Sequence, residues 1–325
     1  MRLISPLKSW VRHELKRQPW LGFARQTLWS QRVKRDDATV QAISQKLGIA
    51  RLPIETFRFS DDKPSDTLFI LGSGASVNEL SNKDFDEIRE HVAVGINVWA
   101  GHEFVPDVYS FESGTLPLSP ADVRQRGYLA ERLKRREVLD VGPKILLLRP
   151  AAPSELEQFV AIPQQLRKRT YLYGRANLPE FKPDLASGTI DRIIRQFLSE
   201  KHSSPVAPDN GASVVRLIFL GLKAGFKRIV LVGIDLNLNP YFWLSPEEQP
   251  RQRELVQLFP RASGVPHDTT ETVDRPHNTL DVIRWISESL ADRGIAQLFA
   301  GSSSSALAEF LEIHHWNGQR DVYFS

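Results

Sequence analysis

Thr67-Leu-Phe-Ile-Leu-Gly-Ser-Gly-Ala-Ser-Val77 is the stretch whose reading decides the fold. A short apolar run, Leu68–Leu71 after Thr67, without polar alternation suits a strand buried on both faces, and Gly72–Ser76 supplies a tight turn at its end. Downstream, Ser81 or Asn82 can cap a helix through Asp84–Glu90, whose early acids suit the positive end of a helix. Further apolar runs follow at Val92–Ile96, Val108–Phe111 and Lys144–Leu148. Strands alternating with helical stretches predict an α/β, Rossmann-like fold: a mostly parallel sheet with helices on both faces.

The second half repeats the pattern. Ala212–Ala224 reads as a helix stopped by Gly225, Arg228–Val232 as a buried strand, and Leu280–Arg293 as a helix stopped by Gly294. Ala296–Phe299 reads as a last strand and Ala306–Ile313 as a last helix. Between the halves, Leu116–Arg136 and Pro150–Lys201 are charged and proline-punctuated. They predict a small helical lid around 150–201 rather than sheet. The expected organisation is a basic amphipathic N-terminal segment and linker over 1–64, a ligand-binding body over 65–313, and a C-terminal tail over 314–325.

Composition removes several classes. The chain of 325 residues has no cysteine, so disulfides, thiolate catalysis and cysteine-ligated zinc are excluded. No apolar run reaches bilayer length, and charges interrupt every stretch that would otherwise read as a signal peptide. The expected location is therefore the cytoplasm. The formal charge of +3 is unevenly placed. Arg2, Lys8, Arg12, Lys16, Arg17, Arg25, Arg32, Lys34 and Arg35 face the single acid Glu14 within residues 1–35. With Trp10, Trp20 and Trp29, this segment suits an anionic membrane surface at the inner face. Equally, it suits a basic helix docked on its own domain. Nothing else resembles a nucleic-acid motif, so no nucleic-acid partner is expected.

Five segments carry chemistry. Gly72, Ser73, Gly74, Ala75 and Ser76 put backbone N–H groups and two hydroxyls at the carboxyl edge of a parallel sheet, where such folds take phosphates. A tight turn between strand and helix explains the same residues. A dinucleotide fingerprint would want glycine at Val77 and an acid at Asn97, and a P-loop would want a lysine, so neither NAD nor ATP chemistry is expected. Asp84-Phe-Asp86 is the one Asp-x-Asp, and it sits at a helix start, so no obligatory metal or other cofactor is expected. The loop after Val232 holds Gly233, Asp235, Asn237, Tyr241 and Trp243. Asp235 can hold loop backbone, while Tyr241 and Trp243 can face a leaving phosphate or stack on a ring. Asn210, Gly211 and Ser213 precede a helix and can contact a ligand or merely cap it. His277 precedes another helix, and its ordinary pKa suits a general base.

In this order the segments resemble the bacterial sialyltransferases that use CMP-sialic acid. The matching residues are Gly72, Gly74 and Ser76; Asn97; Gly233, Ile234 and Asp235; Asn278 and Thr279; and Ser302–Ser305, which include Ser303 and Ser304. The resemblance implies an inverting, metal-independent transfer of a sialic-acid-like 2-keto sugar from a CMP-sugar donor to a glycan or lipid-linked acceptor. It implies a histidine base and tyrosines on the leaving phosphate. Asn97, Ser110 and Glu112 would meet the nucleotide or sugar. Arg275 stands where the family carries its base, with His277 two residues later, so His277 is expected to take the proton and Arg275 to assist donor binding. The Gly-x-Gly-x-Ser and Gly-x-Asp-Leu pattern also resembles the pterin diphosphokinase-like family, which implies phosphotransfer instead. A non-catalytic nucleotide-sugar binding protein is the third expectation.

Overall fold

The computed structural model describes residues 19–53, 63–112, 120–150, 162–180, 186–199, 204–260 and 277–317. A long helix α1 (Pro19–Leu47) leads into β1 (Ala50–Arg51), followed by β2 (Thr67–Leu71), α2 (Asn82–Glu90), β3 (Val92–Ile96) and β4 (Val108–Glu112). Next come α3 (Pro120–Leu133), α4 (Arg136–Val141), β5 (Lys144–Leu148), a single turn α5 (Gln164–Arg167), β6 (Thr170–Asn177) and α6 (Ala186–Leu198). The last third holds β7 (Val206–Asp209), α7 (Ser213–Lys223), β8 (Arg228–Val232), α8 (Arg253–Leu258), α9 (Thr279–Ala291), β9 (Gln297–Ala300) and β10 (Glu312–Ile313).

Every ladder is parallel, and the sheet runs β1-β6-β5-β4-β3-β2-β8-β9-β10, with β7 paired to the carboxyl half of β6. The central strands β2 and β3 are buried along their whole length, because helices cover both faces. The chain winds outward from β2 through β3, β4, β5 and β6, then returns through α7 to lay β8 against the other side of β2. Strand order therefore reverses between β2 and β8. In open α/β sheets, the crevice outside the carboxyl ends at such a reversal is where ligands bind.

The α/β architecture expected from sequence stands, with four corrections. Thr170–Asn177, expected within a helical lid, is β6, whose alternate residues are buried by the sheet and by α1. Residues Ala306–Ile313, expected as a helix, form one 3₁₀ turn (Ala306–Glu309) and then β10 beside β9. Part of the expected N-terminal segment and linker belongs to the body. Trp29, Val33, Val40 and Ile43 of α1 and the following Leu52 are buried, and Asp36 accepts from Arg149 Nε at 2.6 Å and Arg175 N at 2.7 Å. Its Cys-free, basic sequence thus docks on the domain from residue 29 onward, while residues 1–18 lie outside the described part. The expected tail is anchored through residue 317. His314 Nε2 pairs with Glu87 at 3.0 Å, and Trp316 stacks on Phe69 while donating to Gly301 O at 3.1 Å. Among the described residues, no helix is long and apolar enough to cross a membrane.

Candidate functional site

A cleft of about 230 Å³ opens at the reversal point. One wall is the turn after β2 together with the loop after β8; the other is the end of β4 and the first turn of α7. Ile96, Val98 and Phe259 supply apolar lining, a mix typical of small-molecule sites.

On the first wall the glycine loop is knitted to its own protein. Gly72 N donates to Val232 O at 2.7 Å, Gly74 N to Gly233 O at 2.8 Å, and Ala75 N to Pro240 O at 3.1 Å. Ser76 N donates to Asp235 Oδ2 at 3.0 Å, and the Ser76 hydroxyl donates to Asp235 Oδ1. These donors are therefore committed, which corrects the expectation that they cradle a phosphate. Ser73 is different: its N–H and hydroxyl have no partner among the described residues, and it lines the cleft. The glycines answer to close packing. A Cβ on Gly74 would lie 2.4 Å from Asp235 Cγ, and one on Gly72 would lie 2.6 Å from Gly233 O. Gly233 has φ +63, a conformation glycine adopts without penalty. Leu236 has φ +50, a backbone that costs a leucine roughly 1–2 kcal/mol. It is held there by Asp235, whose carbonyl accepts from Ala306 N at 2.9 Å, and by Asn237, whose amide donates to Ser304 O at 2.8 Å.

The second wall is built around a buried charge. Arg216 is 0% exposed and donates to Asp209 Oδ1 at 2.7 Å and to Glu112 Oε1. Ser213 Oγ donates to the same Glu112 oxygen. Burial acts to raise the Glu112 pKa, but the Arg216 charge and these hydrogen bonds outweigh it and leave it below the ordinary carboxylate range. Oε2 has no partner among the described residues, and the side chain is 34% exposed where it lines the cleft. Beside it, α7 begins without a side-chain cap, and the N–H groups of Ala212 and Val214 have no partner among the described residues. A charged acceptor and helix-terminal donors thus face one space. Asp235, in contrast, has its pKa raised by burial, which the bonds from Ser76 only partly offset.

The remaining expected residues separate. Gly211 (φ +89), Ser213, Gly233, Asp235, Asn237 and Tyr241 line the cleft. Asn97 opens the turn between the lining residues Ile96 and Val98. Trp243 does not line it: fully buried, it stacks under Tyr241 at 4.5 Å and donates to Phe259 O at 3.3 Å. Ser110 is buried within the sheet, 3.4 Å from the Tyr173 hydroxyl. Asn210 donates to Thr279 Oγ1 at 3.2 Å, and Asn278 caps α9 through Leu280 N at 2.7 Å, so both seat that helix. His277 is buried outside the cleft lining. Its Nε2 lies 3.2 Å from Pro179 O, which can only accept, so that nitrogen carries the proton. Burial lowers its pKa, with the Pro179 carbonyl opposing. Ser304 donates to Glu79 Oε1 at 2.6 Å, and Ser303 is exposed; neither lines the cleft. Asp84 closes a capping box with Ser81, so the Asp-x-Asp is a helix start. Among the described residues no acidic or histidine cluster suits a metal ion. Arg275 lies outside the described residues. Sequence reasoning missed Arg216, although a lone charge amid Val214–Leu222 was a visible signal, and it missed the Ala212 and Val214 amides, which carry none.

No protein-family model and no curated protein matches the chain in sequence. Among solved structures it is similar to the monofunctional alpha-2,3-sialyltransferase Cst-I from Campylobacter jejuni, with TM-score 0.43 and 15% identity over 79% of this chain and 84% of that one. It is also similar to the sialyltransferase CST-II in complex with trisaccharide acceptor and CMP (TM-score 0.39, 13% identity, 77% and 86% covered). A third likeness is to the MAf glycosyltransferase from Magnetospirillum magneticum AMB-1 (TM-score 0.38, 15% identity, 88% and 37% covered). All three similarities are remote.

Proposed function

We propose that the cleft is the donor site of a glycosyltransferase that takes a nucleotide-sugar, with a CMP-linked, sialic-acid-like sugar as the donor the sequence resemblance implies. The observation that carries this reading is the cleft's position where strand order reverses, with Ser73, Glu112 and the first turn of α7 converging on it. The α7 amides suit the phosphate, and Glu112 Oε2 suits hydroxyls of the ribose or sugar. Glu112 is too weak a base to take a proton, because Arg216 holds it ionised.

In the transfer, an acceptor hydroxyl attacks the anomeric carbon while the bond to the nucleotide phosphate breaks, inverting that centre. The electron pair leaves with the phosphate, which Tyr241 is positioned to meet at the cleft wall. The acceptor proton goes to His277 Nδ1, the nitrogen that Pro179 leaves with a lone pair. This role requires the acceptor to reach α9 from the cleft. His277→Ala is then expected to lower kcat by ~10²–10⁴ and to remove the acidic limb of the pH profile, where protonation of the base silences it. A helix-seating role alone would lower stability and leave that profile unchanged. Arg275 assists donor binding in this reading, and the acceptor is a glycan or lipid-linked glycan presented at the inner membrane face.

The test is hydrolysis or transfer of CMP-sugar by the full chain with a chelator present. Turnover under those conditions supports the reading. Turnover that needs Mg²⁺ and ATP would favour the pterin diphosphokinase-like alternative, and tight CMP binding without turnover the non-catalytic one.

A further inference from the structure

Behind the glycine loop lies a second depression of about 560 Å³, larger than the first by the same measure. The two share no lining residue. The wall between them is the 3₁₀ turn Ala75–Glu79 and the segment Phe242–Leu244, tied by Phe242 N donating to Ser73 O at 3.0 Å and Asn78 Nδ2 donating to Phe242 O at 2.9 Å.

Phe85 and His102 are part-exposed on its floor, with Phe242 buried beneath them and rings 5.2–5.3 Å apart about His102. His102 Nδ1 accepts from Phe104 N at 3.0 Å, so the ring proton sits on Nε2, which has no partner among the described residues. Burial, reinforced by the Arg132 charge, pushes its pKa down to about 4, so near neutrality it is an uncharged donor. The two arginines are already engaged: Arg251 with Glu248 at 3.4 Å, Arg89 with Asp86 and above the Phe104 ring. A phosphate or an acidic peptide would need unpaired cations. What remains on offer is part of an aromatic floor, a neutral N–H, amide groups such as that of Gln252, and the Glu103 and Glu247 carboxylates, which can accept from hydroxyls. That combination suits a ligand with apolar C–H faces and many hydroxyls.

We propose that this depression is a carbohydrate-binding site for neutral glycan, separate from the nucleotide cleft and independent of the reading given to it. It can be tested on the full chain by saturation-transfer NMR with a panel of neutral hexose and N-acetylhexosamine tri- and tetrasaccharides. Saturation of sugar protons is expected for at least one of them, undiminished by CMP. Gln252→Trp and Glu103→Trp, each adding bulk to the lining from a different segment of the chain, should each weaken that glycan at least tenfold with an unchanged melting temperature. No saturation at millimolar sugar, equal binding by both folded variants, or displacement by CMP would each overturn the proposal. Thermal stabilisation by CMP, measured separately, reports on the first cleft alone.

Discussion

The two walls of the cleft use their polar groups in opposite ways. The glycine-loop wall spends N–H groups on its own protein: Gly72 donates to the end of β8, and Gly74, Ala75 and Ser76 donate to the loop after it. The α7 wall leaves Ala212 N–H, Val214 N–H and Glu112 Oε2 without protein partners, and directs its buried charges inward to hold Glu112 in place. The conspicuous motif in the sequence is thus bonded inward, while the polar groups without partners among the described residues lie across from it in residues that look ordinary.

The largest expected effect is on the inward charges. Arg216→Met would leave the fully buried Asp209 with only Arg175 at 3.5 Å and the Gly211 N–H, and breaking such a buried pair costs about 3–5 kcal/mol. Chemical denaturation should register that loss, and a change below about 1 kcal/mol would mean the network is not under stress when cut. Gly74→Val comes next. A loop whose N–H groups only cradled a phosphate would lose nucleotide binding and spare the fold. With a Cβ forced to 2.4 Å from Asp235 Cγ, the variant is expected instead to cost roughly 3 kcal/mol through overpacking. A normal melting temperature with lost binding would restore the simpler view of the loop.

Acid titration separates the walls by sign. Glu112 titrates below its ordinary value when folded, so its contribution is complete above that value and is lost as pH falls through the folded pKa. Asp235 titrates above its ordinary value, so its charged form costs stability at neutral pH, and that cost is relieved as pH falls through its folded pKa. Removing each in turn, by Glu112→Gln and Asp235→Asn, should change the slope of melting temperature against pH in opposite directions across the acid range. Slopes that move together would contradict the assigned electrostatics. The smallest effect belongs to Ser304→Ala. Ser304 is exposed and bonded to Glu79, so stability should move by less than about 0.5 kcal/mol and CMP binding not at all. A loss of binding there would return the serine run to the site.

Much of the fold was legible because the strands are short runs that are apolar after at most one leading polar residue. Thr67–Leu71, Val92–Ile96, Lys144–Leu148 and Arg228–Val232 occupy the predicted positions. Thr170–Asn177 escaped because its tyrosines, arginine and asparagine look like surface, while the alternate face, where Gly174 lies against Asp36 and Val40 of α1, has few large apolar residues to announce it. Residues 306–313 kept a helical spacing that Ser305, capping a 3₁₀ turn and bonded to Ile234 O, converts into a tight turn. At the candidate site, residue types in the loop after β8 pointed to the edge of the sheet where the cleft lies. Which N–H groups are engaged depends on a partner more than 150 residues away, as with Ser76 and Asp235, and no local pattern encodes it.

The direct measurement is amide chemical-shift mapping of the ¹⁵N-labelled full chain titrated with CMP. The largest shifts are expected at Ala212, Val214 and Ser73, whose N–H groups have no partner among the described residues, with small shifts at Gly74, Ala75 and Ser76, which are already bonded. Largest shifts at Gly74–Ser76, with Ala212 and Val214 unmoved, would contradict the assignment of binding to the α7 wall.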